Sequence, residues 1–167
     1  TVTARDTAGN VAQATVRFAV LDVEPVEAAL VEPGNDTSIV VEDSGTGLDG
    51  VSLFIPAGAL SEPAVVAIAP LLTIPPASPA FIGYAVQFIP SGITFGIPVT
   101  ASLVHPTAST HPANIQVRYR DPATGRWNTD GITNIQHVSG SPNDTVTFTT
   151  THFSTFAVTL TLKQTDV

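Results

Sequence analysis

The chain predicts an all-β fold, an antiparallel β-sandwich with an N-terminal β-hairpin extension, on three observations. Short runs of alternating apolar and polar residues, such as Val99–Val104 and Thr145–Thr150, recur between clusters of Gly, Pro, Asn and Asp. No segment sustains helical apolar spacing beyond about two turns. The composition, 43% hydrophobic and 12% charged with 12 Gly and 14 Pro, is that of a folded, strand-rich chain and falls short of the disordered range.

Thr1 to Val20 comes first. Ala12, Ala14, Val16, Phe18 and Val20 alternate with Gln13, Thr15 and Arg17, the period-two pattern of a strand with one buried and one wet face. Asp6-Thr7-Ala8-Gly9-Asn10 supplies turn chemistry, with Gly9 and Asn10 the residues that reach positive φ at least cost. An isolated hairpin is marginal in water, so this one needs a partner. The segment reads as the last hairpin of a unit whose earlier strands are missing.

Leu21 to Asp36 is acidic, holds Pro25 and Pro33, and lacks sustained alternation, so it reads as a linker (21–36). A helix over VEAALVE is limited by those bracketing prolines. The main domain is expected over 37–162, with a short tail at 163–167. Its strands are expected at Ser38–Glu42, Val51–Ile55, Ala64–Pro70, Tyr84–Ile89, Val99–Val104, Ile115–Arg120, Arg126–Asn128, Thr133–His137, Thr145–Thr150 and Thr155–Leu162. Pro70 and Pro98 fall at strand ends, where a missing N–H is tolerable. Leu71 to Ala80 is too rich in proline for a central strand and predicts an extended connection across the sandwich. Asp121-Pro-Ala-Thr-Gly-Arg-Trp127 predicts a β-turn delivering Trp127 to the core or rim.

Charge narrows the partners. A net charge of −8, with Lys163 the only lysine and five arginines, argues against nucleic acid, which needs clustered cations to displace counterions from phosphates. It argues equally against anionic membrane surfaces, and no apolar run approaches the roughly twenty residues of a membrane-spanning helix. With Cys 0, thiol catalysis, disulfides and zinc-thiolate sites are excluded. Abundant Thr, few charges and repeated strands favour an extracellular or cell-surface setting.

Two blocks carry a resemblance. Gly50, Val51, Leu53, Ile55, Pro56, Gly58 and Ala59 form the first; Pro90, Ser91, Gly92, Phe95, Pro98 and Val99 form the second. Physically, Ile-Pro-x-Gly-Ala ends a strand and turns, and Pro-Ser-Gly-x-x-Phe is a turn closing a hairpin onto an aromatic plug. From Thr37 to Leu162 the chain resembles the ZU-five-type β-sandwich of ankyrins, netrin receptors and tight-junction scaffolds, of which bacterial surface proteins carry similar units. The N-terminal hairpin resembles the closing strands of immunoglobulin-like repeats in large bacterial surface proteins. Together these resemblances imply a non-enzymatic structural or interaction module.

Thr151-His152-Phe153-Ser154-Thr155-Phe156 is the sharpest chemical candidate. His-Phe-Ser resembles the self-cleavage tripeptide of a ZU-five-containing death-domain scaffold, which implies Ser154 as nucleophile, His152 as base and Phe153-Ser154 as the scissile bond. The same residues also read as anchors: Phe153, Phe156 and Val158 packing the last strand, with His152 capping the turn before it. This second reading carries the greater weight.

The four histidines, His105, His111, His137 and His152, show no metal-ligand spacing and are expected at surfaces or turns. No metal and no cofactor are expected, although Asp36, Glu42, Asp43 and Asp49 are the acids a calcium ion would use. Asn35-Asp36-Thr37 and Asn143-Asp144-Thr145 fit the glycosylation acceptor pattern in exposed turns. No phosphate loop or hydrolase elbow is present, so turnover chemistry is not expected. The leading expectation is an extracellular structural protein, a homo-oligomer or filament joined by β-strand addition. Val11, Ala14, Val16, Phe18 and Val20 would form the interface. The rivals are a monomeric interaction module of a multidomain adhesin and a self-cleaving domain.

Overall fold

The structure is a computed structural model that describes residues 2–5, 7–14, 24–73, 79–106, 114–140 and 143–161. In chain order the strands are β1 (Val2–Arg5), β2 (Val11–Ala14), β3 (Glu27–Val31), β4 (Thr37–Val40), β5 (Ser52–Ile55), β6 (Ala64–Pro70) and β7 (Val86–Ile89). They continue with β8 (Thr94–Pro106), β9 (Ile115–Arg120), β10 (Trp127–Asn128), β11 (Thr133–Val138), β12 (Asn143–His152) and β13 (Thr155–Leu160). Two antiparallel sheets pack together, one ordered β10-β9-β13-β7-β6-β3 and the other β11-β12-β8-β5-β4. The all-β sandwich is therefore the fold. Strands β1 and β2 form a separate two-stranded ladder, from Val2↔Ala14 to Arg5↔Val11.

Alternation built the sandwich. In β5 and β12 the residues facing inward, Leu53, Ile55, Val146 and Phe148, are buried, while their neighbours face outward or are half-buried. The inner faces join in one core that includes Val66, Ile68, Phe88, Phe95, Leu103, Val117, Phe153, Phe156 and Val158. Phe88 and Phe148 flank Phe156 at ring-centroid distances of 5.4 and 5.2 Å. Strand β13 is buried on both faces, as befits a strand with neighbours on each side and no edge.

Several expectations are corrected. The segment expected to be a linker contains β3, which pairs with β6 from Glu27↔Ile68 to Val31↔Ala64, so the sandwich begins before Thr37. Pairing partners in β6, not local alternation, make it a strand. The turn at Pro90-Ser91-Gly92 closes no hairpin, because β7 and β8 lie in different sheets. Phe95 is nevertheless buried, with its ring 4.6 Å from that of Phe153. The connection after β6 returns to the same sheet and does not cross, since β6 and β7 pair with each other. Residues 74–78 of it lie outside the described residues. Pro98 sits inside β8 rather than at its start. The ladder with β12 shifts register there, from Thr150↔Val99 to His152↔Thr94, so the missing N–H breaks no regular rung.

Candidate functional site

The His-Phe-Ser triplet sits where the chain leaves one sheet for the other. Strand β12 ends at His152 in the five-stranded sheet and β13 starts at Thr155 in the six-stranded sheet, so Phe153 and Ser154 alone make the crossing. Burial drives this sharp passage. Phe153 is fully buried between Phe88 and Phe95, with centroid distances of 5.6 and 4.6 Å. Its N–H donates to the Ile93 carbonyl at 2.9 Å, and its own carbonyl accepts from Gly92 N–H at 2.8 Å. The Ser154 carbonyl accepts from Phe88 N–H at 3.0 Å. The crossing is thus tied to β7 and to the turn that follows it.

The side chains of His152 and Ser154 go to different partners. The Ser154 hydroxyl, buried at 1% exposure, donates to the Arg120 carbonyl on β9. The His152 ring packs edge-on to Tyr119 at 4.5 Å and lies 6.0 Å from Phe156. Its Nδ1 is 3.4 Å from Thr150 Oγ1, a hydroxyl that donates to the His152 carbonyl at 3.1 Å. Its Nε2 is buried with no hydrogen-bond partner among the described residues. Burial pushes the imidazole pKa below its ordinary value, and the nearby Asp121 carboxylate opposes that shift. Asp121 in turn is held below the ordinary carboxylate value by the N–H groups of Ala123 and Thr124. The site therefore holds a neutral imidazole, a hydroxyl already engaged as donor, and a carbonyl polarised by one amide.

The Asp121–Trp127 segment is a turn as expected, but its main chain closes four residues apart and not three, so it is wider than the expected β-turn. Asp121 N–H donates to the Arg126 carbonyl and Gly125 N–H to the Asp121 carbonyl, both at 2.8 Å. Trp127 is half-buried and meets Phe81 edge to face at 5.0 Å. Phe81 bridges to Thr159, and sequence spacing alone gave no sign of that contact.

Other candidates disperse. Val11 lies on β2 at 49% exposure and Ala14 ends the same strand, whereas Val16, Phe18 and Val20 lie outside the described residues. Asp36 accepts from Ala57 N–H at 2.8 Å, and Asp49 accepts from the Ser44 N–H and hydroxyl at 2.8 and 2.7 Å. These carboxylates shape their own loops. Among the described residues no group of three or more His, Asp or Glu converges as a metal site would require. His105, expected at the surface, is 2% exposed in β8, where the ladder places it opposite Asp144 and its Nδ1 lies 3.0 Å from the Pro106 carbonyl oxygen. His137 is exposed on edge strand β11, and His111 lies outside the described residues. Asn35 is exposed, but Asn143 is half-buried in β12 and not in a turn.

Among the described residues, fold and site together define an all-β sandwich with a cluster of functional groups built into a core crossing. No helix among the described residues is long and apolar enough to cross a membrane. Compared with known proteins, the chain matches no family model, and no curated protein aligns with it significantly.

Proposed function

We propose that this protein is a structural subunit of an extracellular or cell-surface assembly. In it the N-terminal hairpin of one copy adds to a sheet of the next. The observation that carries the reading is that β1 and β2, among the described residues, pair only with each other, while both sheets of the sandwich form without them. Such a hairpin is marginal alone, and its free N–H and C=O groups are satisfied most fully by another strand. Donor and acceptor surfaces differ, so the contact is heterologous and propagates into a filament unless it closes into a ring. Val11, Ala14, Val16, Phe18 and Val20 are the residues assigned to it. The scarcity of charge, 12% of residues, suits close packing of copies.

Native mass measured against concentration, on the full chain and on a variant lacking residues 1–20, tests this. Large species are expected from the full chain and none from the truncated one. Monomers in both would leave an interaction module within a larger surface protein.

A second reading, single-turnover cleavage at Phe153-Ser154, is favoured by the Gly92 N–H on the Phe153 carbonyl. Ser154 Oγ would leave the Arg120 carbonyl and attack the Phe153 carbonyl carbon. His152 would take the hydroxyl proton and return it to the Ser154 nitrogen as the Phe153–Ser154 C–N bond breaks, and water would then hydrolyse the Oγ ester to a Phe153 carboxylate and the free Ser154 hydroxyl. Denaturing intact-mass analysis after long incubation should then yield a fragment starting at Ser154, which Ser154→Ala abolishes. A single full-length mass throughout rejects it.

A further inference from the structure

Among the described residues the sandwich offers four edges, and they are unequal as acceptors of a strand. Strand β10 is only two residues long, and β11 is interrupted by a register shift between Thr133 and Gln136, where Asn134 has φ 52°. Such shortness and bulging blunt an edge. Strand β4 has four residues, and its exposed Val40 faces Ser52 directly across the ladder with Phe54 only diagonal to it, so no directly opposed apolar pair lies at its margin.

Strand β3 differs. It runs five residues with an unbroken register, and Pro25 and Pro33 lie outside it. Leu30, at 57% exposure, is directly opposite Val65, at 47%, on the outer face. Deeper in that face Ala67, Ala69 and Ile89 form a small buried cluster of their own. The apolar row therefore runs outward to the free edge and stops there unfinished. Charge adds a direction: Glu24, Glu27 and Glu32 mark this edge with no cation among them, whereas residues 1–20 carry Arg5 and Arg17 against Asp6 alone.

We infer that the free edge of β3 is the acceptor for the N-terminal hairpin of a second copy of this chain, with Leu30 and Val65 as the apolar shelf and Glu27 as the charge that favours Arg5. This inference rests on the strand-addition reading above. The hairpin's own β3 lies only the stretch 15–26 away in sequence, yet among the described residues β1 and β2 do not pair with it and no strand lies beside its outer edge.

The test compares Leu30→Lys with Val40→Lys on the full chain, using sedimentation velocity over a concentration series beside the variant lacking residues 1–20. Leu30 is exposed, so its replacement leaves the fold intact, which circular dichroism checks; Glu27→Lys provides a second probe of the same edge. Leu30→Lys is expected to raise the concentration at half-assembly at least about tenfold, and Glu27→Lys several-fold, with Val40→Lys unchanged. If truncation abolishes assembly but both β3 variants assemble like the parent, strand addition stands and β3 is overturned as its acceptor. If the parent never assembles, both readings fall together.

Discussion

The imidazole of His152 is enclosed by Tyr119 and Phe156, and its Nε2 lacks a partner among the described residues, so a proton there would place a charge in an apolar corner. Burial is the larger influence on this ring and lowers its pKa below 6.5 despite Asp121. The unfolded chain binds the proton more readily, so stability is full above about pH 6.5 and falls as pH drops through that value, until the folded ring also titrates. His137, although exposed on its edge strand, shifts in the same direction through partial desolvation of its ring and the proximity of His105. Melting temperature should therefore decline between pH 7.5 and pH 5.5. His152→Phe, which keeps a ring in the corner, should flatten that decline in part, the remainder belonging to His137. An unchanged pH profile in His152→Phe would remove His152 from the account. The triplet itself was legible in the sequence as a candidate. Its partners were not, because the Ser154 hydroxyl meets a carbonyl 34 residues earlier in the chain.

At the scale of elements, the crossing from β12 to β13 holds the two sheets in register with each other. Phe153 fills the space between Phe88 of one sheet and Phe95 of the other, and its main chain is bonded at both N–H and C=O. Phe153→Ala should cost about 3–5 kcal/mol in urea unfolding, through lost burial and the cavity left behind. Gln136→Ala, exposed on edge strand β11, should change stability by less than about 0.5 kcal/mol. Equal losses would mean that the crossing is not the anchor. Two strands were readable to the residue: β9 because its inner face is dry and its outer face wetter, and β6 because a continuous apolar run is bounded by Pro63 and Pro70. Strand β3 was not. Its EAALV run places Ala28 and Leu30 on an exposed face at the sheet margin, so apolar residues occupy both faces and the periodic signal vanishes. Punctuation by Pro25 and Pro33 then looks like a linker, although β6 supplies its ladder.

For the whole molecule, the division of strands between sheets governs what the surface presents. Among the described strands, chain neighbours β3 and β4, β5 and β6, β7 and β8, β8 and β9, β10 and β11, and β12 and β13 each switch sheets, so the edge strands fall as sequence neighbours, β3 with β4 and β10 with β11. One of them carries the unfinished Leu30–Val65 row. The amino-acid sequence by itself determined the all-β class, most strand positions, the turn at Asp121 and the absence of thiol chemistry, since these depend on local periodicity, turn chemistry and composition. Only the tertiary structure decided which strands are edges, that β3 belongs to the sandwich, that His105 is buried, and that Ser154 faces Arg120 rather than His152. The physical reason is that ladders and cores join residues far apart in the chain, and an edge is defined by the strand that is missing beside it, which no local pattern records.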